Sequence, residues 1–146
     1  FRENKDGIVH ITNTDSKTFG LLVQWIMFAY YEDHDDLTNH RIVRNSAKAW
    51  VLGDYLVAPG FKNYAMLQLY NIYHPKDGSA PKSGICPATI KHCCSHSPVN
   101  SPLRNLYFDI MLELFKDKTV VNYSDKLRQE WDEVWELHRD FSNDLM

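Results

Sequence analysis

The stretch SPLRNLYFDIMLELF, residues 101–115, decides the fold class. Ser101 is suited to accept from the free N–H groups of a first helical turn, and Pro102 brings a fixed φ to the first helical position. Leu103, Leu106, Tyr107, Ile110, Met111, Leu114 and Phe115 then recur at i, i+3, i+4, i+7 and i+8. That spacing lines one side of a helix with apolar side chains. The same period appears upstream and downstream of it, so the chain is expected to be mainly α.

Upstream, Asp15 or Ser16 opens a helix carrying Phe19, Leu22, Val23, Ile26, Met27 and Tyr30. Leu21, Trp25 and Phe28 make its other sides apolar as well, which predicts burial nearly all round. Gly20 weakens it by about 0.8–1 kcal/mol relative to Ala. It runs out in Glu32-Asp33-His34-Asp35-Asp36, read as a solvated connector because carboxylates oppose the dipole at a helix C-terminus. A second helix is predicted over 38–56, and a third from Pro59 to the residues before Pro75. Residues 75–87 hold Pro75, Gly78, Pro81, Gly84 and Pro87 and read as a linker. A short helix over 87–95 follows, and a last one starts near Ser124 with Leu127, Trp131, Val134, Trp135, His138 and Phe141 on its apolar side. Before all of these, residues 7–12 are β-branched after an Asp6-Gly7 turn pair, the signal of one short strand. The expectation is about six helices and one N-terminal strand.

The 146 residues suit about one domain. Nineteen aromatic residues, 13% of the chain, exclude a disordered composition. The net charge of −3 speaks against nucleic acid and anionic membrane as partners. The longest apolar run, 19–31, is too short to cross a bilayer. Cys86, Cys93 and Cys94 make an odd set with two neighbours, which fits a reducing compartment and an intracellular location, cytoplasmic or nuclear. No nucleophile elbow, zinc-protease helix or glycine-rich phosphate loop is present, so no enzyme activity and no cofactor are expected.

Two clusters remain. Cys86, His92, Cys93 and His96 could hold a metal or act as a thiol site, since two His at i, i+4 share a helix face. The spacing matches no structural zinc pattern. The competing reading packs Ile90, Cys93 and Cys94 as an apolar face. Trp25, Phe28, Tyr31, Trp131 and Trp135 are candidates for contact with a partner, because tryptophan and tyrosine anchor interfaces.

Some of these blocks are shared with a known family. FGLLVQWIMFAY (19–30), AWVLGDYL (49–56) followed by FKNYAM (61–66), and SPLR (101–104) occur in an order that resembles fungal BTB/POZ-domain proteins. Phe1-Arg2-Glu3 with the strand after it resembles the same family's opening segment. The resemblance implies a BTB-like C-terminal half over 1–74, the linker over 75–87, and a helical extension over 88–146 packing on the first part. It also implies a non-enzymatic protein–protein interaction module, a scaffold or adaptor linked to ubiquitin ligases or transcription, with protein partners and self-association. A full BTB domain has strands and helices before the segment matched here, and they supply much of its dimer surface. Without them, the helix over 19–30 must be covered by the helix carrying Trp131 and Trp135, or the chain must associate.

Overall fold

Helix starts follow the caps. In a computed structural model that describes residues 14–114, 117, 120–121 and 124–145, Asp15 accepts the Thr18 N–H at 2.7 Å and opens α1, Ser16–Phe28. Helix α2 spans Asn45–Tyr55. Pro59 opens α3, Pro59–Tyr73, and Pro87 opens α4, Pro87–His96. Ser101 accepts the Arg104 N–H at 3.3 Å ahead of α5, Pro102–Leu114. Helices α6, Asp125–Leu137, and α7, Arg139–Leu145, complete the order. The chain is mainly helical, and the described residues hold no sheet, only an isolated parallel bridge between Ile85 and Val121. The strand expected over 7–12 and the side chain of Phe115 lie outside the described residues.

Two elements differ from the expectation. The second helix begins at Asn45 rather than Thr38. Asp36 accepts both the N–H and the hydroxyl of Thr38, at 3.1 and 2.5 Å, and Asn39 accepts the Arg41 N–H at 3.1 Å. Such side-chain turns give the backbone an alternative to helix. The last predicted helix is two helices, broken at His138, where φ is −125°. The break turns Phe141 edge-on to Phe108, with centroids 5.5 Å apart, and places Asp140 2.6 Å from the Arg104 guanidinium.

One cluster of buried side chains draws on all seven helices. Trp50, Phe61, Leu69, Ile90, Tyr107 and Trp131 are all buried in it, and Leu106 packs against its edge. Tyr73 and Tyr107 join α3 to α5, ring edge to ring face at 5.6 Å, with their hydroxyls 3.3 Å apart. Phe19, expected in this core, lies on its outside at 40% exposure. Between α3 and α4, residues 76–80 are exposed while 83–87 are buried. Gly84 sits where an added Cβ would come within 2.8 Å of the Val120 carbonyl oxygen. Its N–H donates to Nδ1 of His40 at 2.8 Å, and the next N–H, of Ile85, donates to the Val120 carbonyl at 2.6 Å. The second half of the expected linker is therefore a packed piece of the core.

Helix α1 is attached on one side. Thr18, Leu21 and Leu22 are buried against α2. Trp25 lies over the start of α3, with its ring 6.0 Å from Phe61 and so close to Gly60 that an added Cβ there would meet it at 2.8 Å. Burial all round does not occur. Helix α6 packs on α4, and among the described residues Val23, Ile26, Met27 and Phe28 on the outer side of α1 are exposed.

Candidate functional site

The chain leaves α1 through Ala29, in the left-handed region at φ 59°, whose N–H donates to the Trp25 carbonyl at 2.8 Å. Tyr31 then turns inward. Its hydroxyl lies 2.7 Å from Oγ of Ser46, and its ring meets Phe61 and Tyr64 at 5.9 and 4.7 Å. Burial pushes its phenol well above the ordinary range. The acidic run that follows is solvated only in part: Glu32, His34 and Asp36 are exposed, while Asp33 and Asp35 turn inward. Oδ2 of Asp35 accepts the Asn45 N–H at 2.8 Å, at the N-terminus of α2, where negative charge is favoured. Asp33 accepts from the Asn45 side chain at 2.8 Å. Arg44, almost fully buried, lies 3.7 Å from the equally buried Asp35 carboxylate. Its guanidinium also donates to the carbonyls of Asp36 and Asn39, at 3.1 and 2.5 Å. A buried guanidinium needs such partners, because taking a charge out of water costs several kcal/mol, order of magnitude. The run is thus a cap that fixes where α1 ends and α2 begins.

The Cys/His cluster does not converge. Among the described residues, no three His, Cys, Asp or Glu side chains gather in metal-binding geometry. Cys86, Cys93 and Cys94 are free and buried. Cys86 Sγ lies 3.4 Å from the Thr89 hydroxyl, and Cys93 Sγ lies 3.8 Å from that of Ser97. The hydrogen bond to Cys94 and burial push the Cys93 thiol far above the usual range, which suits a core side chain and not a nucleophile. His92 and His96 stack at 4.5 Å on the other side of α4. Burial, helped by the positive charges of His96 and Lys48, holds His92 down at about 4.

The five aromatic candidates separate by position. Tyr31 and Trp131 are core residues, almost without exposed surface. Trp25 and Trp135 are half-buried. Trp25 sits over Gly60, and Trp135 stacks on Trp131 with centroids 5.0 Å apart. Phe28 points outward. Around it lie residues the sequence reading placed in the core: Val23, Ile26 and Met27, the last two both 68% exposed, with Phe19 and Tyr30 at the flanks. Helical spacing sets Ser16, Gly20, Val23 and Met27 in one row along this outer side. The missed signal was the absence of any polar side on a helix that follows immediately on a loop. A helix fastened to neighbours on one side leaves such surplus apolar residues in water.

The concave features include clefts of about 410 Å³ beside Val51, Tyr55 and His96 and about 380 Å³ beside Asp15, Lys48 and His92. A cleft of about 230 Å³ between α4 and α6 is lined by Arg41, Cys86, Lys91, Glu130 and Leu137, among others. Another, of about 200 Å³, lies beside Asp33, Asp35, Gln68 and Lys82. Neither pairs a nucleophile with a base. No described helix is long and apolar enough to cross a membrane. No family model, curated protein or solved structure matches the chain.

Proposed function

We propose that this chain is a non-enzymatic protein–protein interaction module of BTB/POZ type, and that the outer side of α1 is its docking surface. The observation that carries the reading is the exposed apolar group of Val23, Ile26 and Met27, neighbours at i, i+3 and i+4, with exposed Phe28 at the helix end, on a helix anchored from behind by Leu21, Leu22 and Trp25. Contiguous exposed apolar patches of several hundred Å² mark interaction sites. The BTB/POZ part rests on the α2–α3 pair. Trp50 and Leu52 are buried opposite Phe61 and Ala65, and Gly53 allows the close crossing at Lys62 that the WVLGD and FKNYAM blocks imply. A scaffold or adaptor role, tied to a ubiquitin ligase or to transcription, follows from that resemblance.

The test is a photo-reactive benzoyl-phenylalanine placed at Ile26 in the full chain in cells, with the same probe at Arg128, on the charged side of α6, as the control. Ile26 is expected to give a protein adduct that Arg128 does not. Equal labelling at the two positions, or none at Ile26, overturns the reading. Stoichiometric zinc in the purified chain that is lost on His92→Ala would favour the alternative, a metal- or thiol-binding protein at Cys86, His92, Cys93 and His96.

A further inference from the structure

The SPLR block, residues 101–104, takes no part in the surface on α1. It builds a contact at the other end of the molecule. Oγ of Ser101 accepts the Arg104 N–H and sets Arg104 in the first turn of α5. The buried Arg104 side chain is then held from behind, because one guanidinium nitrogen donates to the Cys94 carbonyl near the end of α4 at 2.7 Å. A second nitrogen donates to Oδ2 of Asp140 on α7 at 2.6 Å. One turn further along α5, Phe108 takes the ring of Phe141 edge-on. Arg104 and Phe108 thus receive two consecutive residues of α7, a carboxylate and then an aromatic ring.

We infer that Arg104 and Phe108 form a binding site for a peptide with an aspartate or glutamate directly before an aromatic residue, and that Asp140-Phe141 occupies it in cis as a displaceable latch. The site stands apart from the surface on α1 and does not depend on it. Three observations support it. First, the receiving side is fixed without α7. Ser101 and the Cys94 carbonyl hold Arg104, and Phe108 sits on a helix of 13 residues. Second, the resident occupant is built to let go. Helix α7 has seven residues, fewer than sustain a helix on their own. It begins only after the break at His138. The Asp140 side chain is 51% exposed, and ion pairs half in water contribute little. Third, the resident occupant fits incompletely. Asp140 meets the guanidinium through one oxygen, whereas a well-seated carboxylate takes two N–H groups of the fork. A cavity of about 120 Å³ bounded by Asn100, Asn105, Phe108 and Phe141 is left beside the pair. A free peptide is not tied to the break at His138, so it can settle deeper on the guanidinium and fill that space. Asp140-Phe141 keeps the site closed through the high effective concentration that the chain imposes.

Fluorescence anisotropy of a labelled peptide with the sequence of residues 136–143, ELHRDFSN, tests this against the full chain. The wild type, with its own copy in place, is expected to bind the peptide with a Kd of about 1 mM or weaker. Asp140→Arg/Phe141→Ala opens the latch and is expected to bind it about tenfold tighter or more. A peptide with Asn in place of its Asp, or Ala in place of its Phe, should lose that gain. An opened chain that keeps its helical circular dichroism yet binds no tighter than the wild type overturns the inference, as does one that takes the Asn peptide equally well. Should the opened chain fail to fold, hydrogen exchange of the wild type decides. The peptide at about 5 mM is expected to speed exchange of the α7 amides about threefold or more and to leave α5 protected. An α7 indifferent to the peptide overturns the inference.

Discussion

Helices α1 and α6 each carry two or more large aromatic residues, and the molecule uses them in opposite ways. Helix α6 has one apolar side, Leu127, Trp131 and Val134, and a charged one with Arg128, Asp132 and Glu133. The apolar side is buried on α4, and the charged side faces water. Helix α1 has no charged side to turn outward. It buries Thr18, Leu21 and Leu22 and exposes Phe19, Val23, Ile26, Met27 and Phe28, more large apolar residues than it hides. The strength of a helix's hydrophobicity therefore does not say whether it is covered. The contrast between its sides does: a helix with one apolar side has one way to pack, and a helix apolar all round is covered only as far as its neighbours extend.

The largest expected effect separates the two helices directly. Trp131→Ala should cost about 3–5 kcal/mol of stability, whereas Ile26→Ala should stay within about 0.5 kcal/mol. Urea titration of both variants reads the difference. A costly Ile26→Ala would mean that the outer side of α1 is covered after all. Next comes the junction that sets the exit from α1. Arg44→Met strands the buried Asp35 and is expected to cost about 3–5 kcal/mol, and Arg44→Met with Asp35→Asn should recover much of it, because a neutral amide can still cap Asn45. If the single variant melts as the wild type does, the ion pair does not hold the junction.

A pH series gives a smaller effect on the α4 side of the molecule. The folded state holds His92 at about 4, below its ordinary 6.5. His138 is lowered as well, by burial first and then by Arg104. Between these limits the unfolded chain binds more protons than the folded one, so stability falls as pH drops from 6.5 towards 4 and is level with respect to these groups above that window. His92→Gln should flatten the decline in a plot of urea midpoint against pH. An unchanged slope would place the acid sensitivity elsewhere. The smallest effect is at the end of α2. Val57 adopts φ 54° and is 84% exposed, at a position where glycine is the usual residue. Val57→Gly should raise stability by about 1 kcal/mol, and a loss in the same titration would show that the Val57 side chain packs on something.

The helices were legible in the sequence wherever a cap and a period coincided. Asp15 ahead of α1, Pro59 ahead of α3 and Ser101-Pro102 ahead of α5 stand where the spacing put them. What was not legible depended on contacts distant in sequence. The Arg44–Asp35 pair joins residues that read separately as a helix interior and a solvated run, and only burial makes their charges partners. Gly84 read as a linker residue because glycine in a coil has many causes, while its cause here is the Val120 carbonyl 36 residues away. The candidate site was half legible. Phe28 and the surplus of apolar residues in α1 were visible. Which of them stay outside depends on how far α2 and α3 reach around the helix, and spacing carries no record of that.

The measurement that bears most directly on the central claim is the peroxide oxidation rate of Met27, with Met111 as an internal standard in the same chain. Met27 lies on the outer side of α1 and Met111 is fully buried in α5. In dilute protein, Met27 is expected to oxidise rapidly while Met111 resists. Adding cell extract that supplies the partner should slow Met27 towards the rate of Met111 and leave Met111 unchanged. A Met27 that is protected in the dilute chain, or one whose rate is indifferent to added cell extract, would contradict an open docking surface on α1.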